Sequence, residues 1–175
     1  MAPPSVIAYD EAPDHGAGVS TSFRFVAADD ARFHSLFDQT EAELGAIGGK
    51  RVTVDSKPVF PCRVSLADAE IGETVLLLPY VHHDVASPYR ASGPIYVRQR
   101  VTTAQFAPGE IPAMLAHRVL SVRTYDGDAM LRAADVVQGD ALGSAIERFF
   151  GDERVSYLHV HNARPGCYNC SVVRA

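Results

Sequence analysis

No stretch of 18 consecutive apolar residues occurs in the chain, which excludes a membrane-spanning helix. The opening Met1-Ala2-Pro3-Pro4-Ser5 has neither the basic nor the apolar region of an export signal. Cysteine is scarce and odd in number, three in 175 residues. Such a count predicts thiols, ligands or redox groups in a reducing cytoplasm rather than a disulfide framework. Positive charge is in deficit, with 16 Lys and Arg against 21 Asp and Glu and a net charge of -5. That balance argues against nucleic acid, because phosphate backbones are held by Lys and Arg. No internal repeat and no low-complexity block is present. What is there is an ordinary globular mixture, 47% hydrophobic and 21% charged. It is enough to build a core for one domain of this length.

Residues 1–21 carry Pro3, Pro4, Pro13, Gly16 and Gly18, a density that prevents a buried regular element. They are expected to form a flexible extension, with residues 22–175 as the single domain. Phe23 and Phe25 alternate with polar neighbours, which predicts a half-buried strand. Asp29 and Asp30 precede a predicted short helix carrying Phe33, Leu36 and Phe37 on one face. Thr40-Glu41-Ala42-Glu43 is a capping box for a second helix, which Gly48-Gly49 ends.

Residues 50–54 read as a strand, and Thr74 to Leu78 as a strand covered on both faces. Pro79 implies a bulge or an edge position. The adjoining His82-His83 pair reads as loop surface. Ser87 to Pro94 is loop by composition. Alternation returns from Ile95 to Arg100, and Pro112 can open a short helix through Met114 and Leu115. Asp126-Gly127 between Val119–Tyr125 and Ala129–Val137 predicts a tight hairpin. Asp140 to Phe150 reads as a helix and Arg154 to His161 as a strand. Long helical crossovers are missing. The fold class predicted is therefore α+β, a mainly antiparallel sheet with a few short helices on one side.

Three segments carry recognisable wording: Phe60-Pro61-Cys62-Arg63-Val64-Ser65-Leu66 with Gly72-Glu73, Ser87-Pro88-Tyr89-Arg90-Ala91-Ser92-Gly93-Pro94-Ile95, and His159-Val160-His161-Asn162-Ala163-Arg164 with Gly166-Cys167. In order and content they resemble a family of small bacterial proteins known as domain of unknown function 1203. The resemblance spans roughly residues 23–173 and implies one compact domain. It carries no reaction and no catalytic residues to transfer.

The chemistry must therefore be read from the residues. His159 and His161 lie two apart on a predicted strand, so both leave the same face. They can chelate zinc or another transition metal. Cys167 and Cys170 are three apart, so on a regular strand only one can share that face. A three-ligand site follows, of His159, His161 and one thiol, Cys167 or the distant Cys62. Cys167-Tyr168-Asn169-Cys170 has redox spacing, but the five residues after it cannot supply the helix that stabilises such a thiolate.

Cys62, beside Arg63, is a candidate nucleophile with His159 or His161 as its base. Arg63, Arg90, Ser92, Asn162 and Arg164 are candidate contacts for an acidic small molecule. Together these predict an enzyme-like small-molecule site. Two alternatives stand beside it: a non-catalytic interaction module, pairing through strand edges with a partner or as a homodimer, and a structural metal domain.

Overall fold

The computed structural model describes residues 22–175, so the predicted extension 1–21 lies outside the described residues. Phe23–Val26 forms β1, with both phenylalanines buried and Arg24 and Val26 exposed. The segment with Phe33, Leu36 and Phe37 is not one helix but two 3-10 turns, Asp30–Arg32 and His34–Asp38. Asp29 does cap the first of them, accepting from the Ala31 amide. The Asp30 carboxylate is drawn away by a tertiary contact, accepting from Thr103 Oγ1 at 2.6 Å. Glu41–Ala46 forms α1, held by the expected capping box of Thr40 and Glu43.

Lys50–Thr53 is β2, Thr74–His83 is β3 and Ala91–Arg98 is β4. Residues 91–94 therefore belong to a strand, although their composition reads as loop. Pairing decides this: β3 runs on past Leu78 and offers Ser92, Gly93 and Pro94 partners at Val81, Tyr80 and Pro79. Pro79 is tolerated for two reasons. It faces Pro94, and β2 pairs with β3 only from Thr74 to Leu77, so that flank of β3 is an edge beyond Leu77.

Ala113–Ala116 forms α2, with Met114 and Leu115 buried. Val119–Tyr125 is β5 and Leu131–Gln138 is β6. Their connection is longer than the tight turn expected from Asp126-Gly127. The Asp126 carboxylate accepts from the amides of Asp128 and Met130, and the Asp126 amide donates to the Met130 carbonyl. This closes a five-residue loop in place of a two-residue one. Leu142–Phe150 is α3, Tyr157–Asn162 is β7 and Tyr168–Arg174 is β8.

The strands make two antiparallel sheets, one in the order β1-β8-β7-β5-β6 and one in the order β2-β3-β4. The fold is α+β with antiparallel sheets, as the missing crossovers require. Helix α3 lays Leu142, Ala145, Ile146, Phe149 and Phe150 on one face of the five-stranded sheet. That face supplies Leu120, Val122, Leu158, Val160, Cys170 and Val172. Burial of each large aliphatic there is worth about 1.5–3 kcal/mol. A second core gathers Leu76, Leu78, Ile95 and Val97 of the smaller sheet with Leu44, Cys62 and Val64.

Strand parity then dictates what the other face of the five-stranded sheet carries. Across β5, β7 and β8 it presents Ser121, Arg123, Tyr125, Tyr157, His159, His161 and Ser171. Strand β3 passes over this face, and its polar end meets the polar centre of β7.

Candidate metal centre

His159 stands opposite Arg123 in β5 and Ser171 in β8, and His161 stands opposite Ser121. The rest of the site comes from β3. Val81 pairs with Ser92 and His83 pairs with Ala91, leaving His82 as the extra residue of a β-bulge. A regular strand would turn consecutive side chains to opposite faces. The bulge brings both rings to β7. The His82 ring centroid lies 6.0 Å from that of His159 and 5.3 Å from that of His161. The His83 ring centroid lies 4.7 Å from that of His159.

One ring nitrogen from each of His82, His159 and His161 lies within 4.8 Å of the other two. Tetrahedral zinc with imidazole ligands separates its nitrogens by about 3.4 Å, so small ring rotations would close the set. His159 and His161 are 3% and 1% exposed, and His82 is half-buried. Each of the three carries a buried ring nitrogen with no hydrogen-bond partner: His82 Nδ1, His159 Nδ1 and His161 Nε2. A buried unpaired nitrogen costs about 1–3 kcal/mol. All three belong to the residues whose ring nitrogens come within 4.8 Å of one another.

Electrostatics hold these rings in the ligating form. Burial pushes the His82 pKa down to about 4, with His83 and Arg123 adding to the effect. His161 is likewise pushed to about 4, mainly by burial, against the opposing bond to Gly166. His159 is pushed to about 2 by burial, and then by its three histidine neighbours and Arg123. All three are neutral at pH 7, as metal ligands must be.

The surrounding groups orient the set. His83 Nδ1 lies 2.7 Å from the Tyr89 carbonyl and Nε2 lies 2.7 Å from the Tyr157 hydroxyl. Both its nitrogens are occupied, so His83 supports His159 rather than joining the ligands. The Tyr168 ring stacks on His82 at 4.8 Å and 12°, and its hydroxyl is 2.8 Å from Ser171 Oγ. Arg63, only 2% exposed, donates from Nε to the Tyr168 carbonyl at 2.7 Å and from Nη1 to the Pro61 carbonyl. Burial lowers its pKa to about 10, which leaves it a cation. The three motif segments thus do meet around the histidines, through Arg63, the Tyr89 carbonyl and the Gly166 carbonyl.

The other residues singled out from sequence fall elsewhere. Cys62 is fully buried in the smaller core, where its sulfur accepts from the amides of Ser65 and Arg98. Cys170 is fully buried on the α3 side of the sheet, and burial pushes its thiol pKa up. Cys167 sits half-buried in the β7–β8 turn, its thiol 3.9 Å from the Pro165 carbonyl. It is not in the histidine cluster, where His82 stands in the third position. Arg90 is exposed and paired with Asp84. Ser92 is exposed on β4 and Arg164 is exposed in the β7–β8 turn. Asn162 Oδ1 accepts from Asn169 Nδ2 at 3.0 Å.

Two residues that sequence reasoning passed over belong to the site. His82 lies three residues after Pro79, where the sequence reads as loop. Its one signal was that Leu76 and Leu78, at even spacing before it, point to the core. Arg123 sits in a plain alternating strand and gave no signal.

The family model for "Protein of unknown function (DUF1203)" matches residues 59–174. The chain belongs to this family. The DUF1203 segment contains β3 to β8, and with them His82, His83, Arg123, His159, His161 and Tyr168. It starts after β1, α1 and β2, so those elements lie outside the match. No curated protein and no solved structure matches the chain. Among the described residues, no helix is long and apolar enough to cross a membrane.

Proposed function

We propose that this DUF1203 domain is a metal-dependent small-molecule site, with a divalent transition ion, zinc foremost, held by His82, His159 and His161. The observation that supports it is the trio of buried, unpartnered ring nitrogens from β3 and β7. Three neutral ligands leave a tetrahedral ion one position for water or substrate, which is the catalytic type of zinc site. They also leave its double charge uncompensated, so bound water would ionise near neutral pH and supply a nucleophile. The bond from His161 supports this reading: the Nδ1 proton is donated to the Gly166 carbonyl, which leaves the buried Nε2 with a free lone pair for an ion.

The test is metal analysis of tag-free protein, followed by titration of stripped protein with Co2+. One equivalent per chain, with the visible absorption of a four-coordinate site, is the expected result. Folded wild-type protein that takes up no stoichiometric metal would overturn the proposal. If the loaded ion admits neither water nor added ligands, the site is a closed, structural one instead.

A further inference from the structure

Arg123 is the open question left by this site. It stands directly opposite His159 across the β5–β7 ladder, a position where side chains lie about 5 Å apart at Cβ. The residue is half-buried. Nε donates to Ser121 Oγ at 3.4 Å, and the group also touches the Tyr125 hydroxyl. Among the described residues no carboxylate pairs with Arg123, although nine ion pairs form elsewhere in a chain rich in acids. Buried Arg63 has no carboxylate partner among the described residues either, and donates to the backbone carbonyls of Tyr168 and Pro61.

A divalent ion on three neutral histidines would add two more positive charges to this neighbourhood. The sum is a strongly positive site whose two arginines, Arg63 and Arg123, have no carboxylate partner among the described residues. Such a site favours an anionic ligand over a neutral one, because opposite charge offsets repulsion among cations in a partly desolvated setting.

We infer that Arg123 is the specificity residue of this site and that the ligand is a small anion, a carboxylate or a phosphate. One oxygen of the anion takes the ion's open position, and another accepts from the Arg123 guanidinium. A planar fork of donors beside a metal suits a two-oxygen group. This inference deepens the metal-centre proposal and rests on it. Position explains the choice of Arg123 over the cations in the sequence motifs. Arg90 is neutralised by Asp84 at the surface, and Arg63 is occupied with the Tyr168 and Pro61 carbonyls.

The experiment uses Co2+-loaded full-length protein, titrated with acetate, with inorganic phosphate and with neutral imidazole while the visible spectrum is followed. In Arg123→Ala, cobalt stoichiometry and imidazole affinity should match wild type, while anion affinity should fall about tenfold or more. Arg123→Lys should recover part of the loss, since it restores charge without the fork. Whether acetate or phosphate binds more tightly identifies the ligand class. Equal anion binding by loaded wild type and Arg123→Ala overturns the role of Arg123 and leaves the metal centre standing. Failure of wild type to take cobalt overturns the metal centre, and this inference with it.

Discussion

The Nδ1 atom of His161 lies 3.0 Å from the carbonyl oxygen of Gly166. That contact settles the tautomer, with the proton on Nδ1 and a lone pair on the buried Nε2. Gly166 can turn its carbonyl there because its backbone is left-handed, with φ of 75°. His161→Ala should therefore weaken cobalt binding at least a hundredfold while far-UV circular dichroism stays that of a folded protein. Retention of tight cobalt binding in this variant would remove His161 from the ligand set.

His83 and Tyr157 make a second linked pair, 2.7 Å from Nε2 to hydroxyl. With the Nδ1 proton given to Tyr89, Nε2 must accept from the tyrosine. Tyr157→Phe removes that donor and leaves a buried acceptor alone, at a cost of about 1–3 kcal/mol. Urea denaturation of metal-free protein should show the loss. Because His83 packs against His159, metal affinity should drop as well, by roughly tenfold. A variant as stable as wild type would show that the bond does not form in solution.

Acid should unfold the metal-free protein through the same histidines. Burial lowers the folded pKa values of His82 and His161 from 6.5 to about 4, and that of His159 to about 2. In the unfolded chain they titrate near 6.5. Between about pH 6.5 and 4 the unfolded state therefore binds more protons, and stability falls as pH is lowered. The neighbouring cations Arg123 and Arg63 act in the same direction on His161. Urea midpoints measured from pH 7 to pH 4.5 should decline. The decline should be shallower in a His82→Phe, His161→Phe double variant if that variant folds. A flat profile in wild type would contradict the neutral state of the rings.

The thiols divide by burial. Cys62 and Cys170 are fully enclosed, and Cys167 is half-buried in the turn. A disulfide reagent should modify one thiol per native chain quickly and the other two only on unfolding, and Cys167→Ser should abolish the fast phase. Rapid modification of Cys62 would restore it as a candidate nucleophile.

How far the site could be read in advance depended on the range of the interaction involved. His159 and His161 share a face because side chains alternate along a strand, a period of two that any stretch of β backbone imposes. The same parity put Leu158 and Val160 in the core and kept one cysteine of the turn away from the histidines. The capping box at Thr40 and the apolar face of α3 are equally local. The 3-10 turns near Phe33 and the strand at 91–94 were not legible, because Thr103 and β3 lie far away in sequence and override local preference.

By itself, then, the sequence determined an α+β class and a histidine pair on one strand face, since both follow from composition and short-range periodicity. Only the tertiary structure decided the third ring and the cation. His82 reaches β7 through a bulge in a strand 77 residues earlier than His159, and Arg123 meets His159 only through the antiparallel register of β5 with β7. Packing of one sheet over another selects such neighbours, and no local rule encodes which distant residues it will bring together.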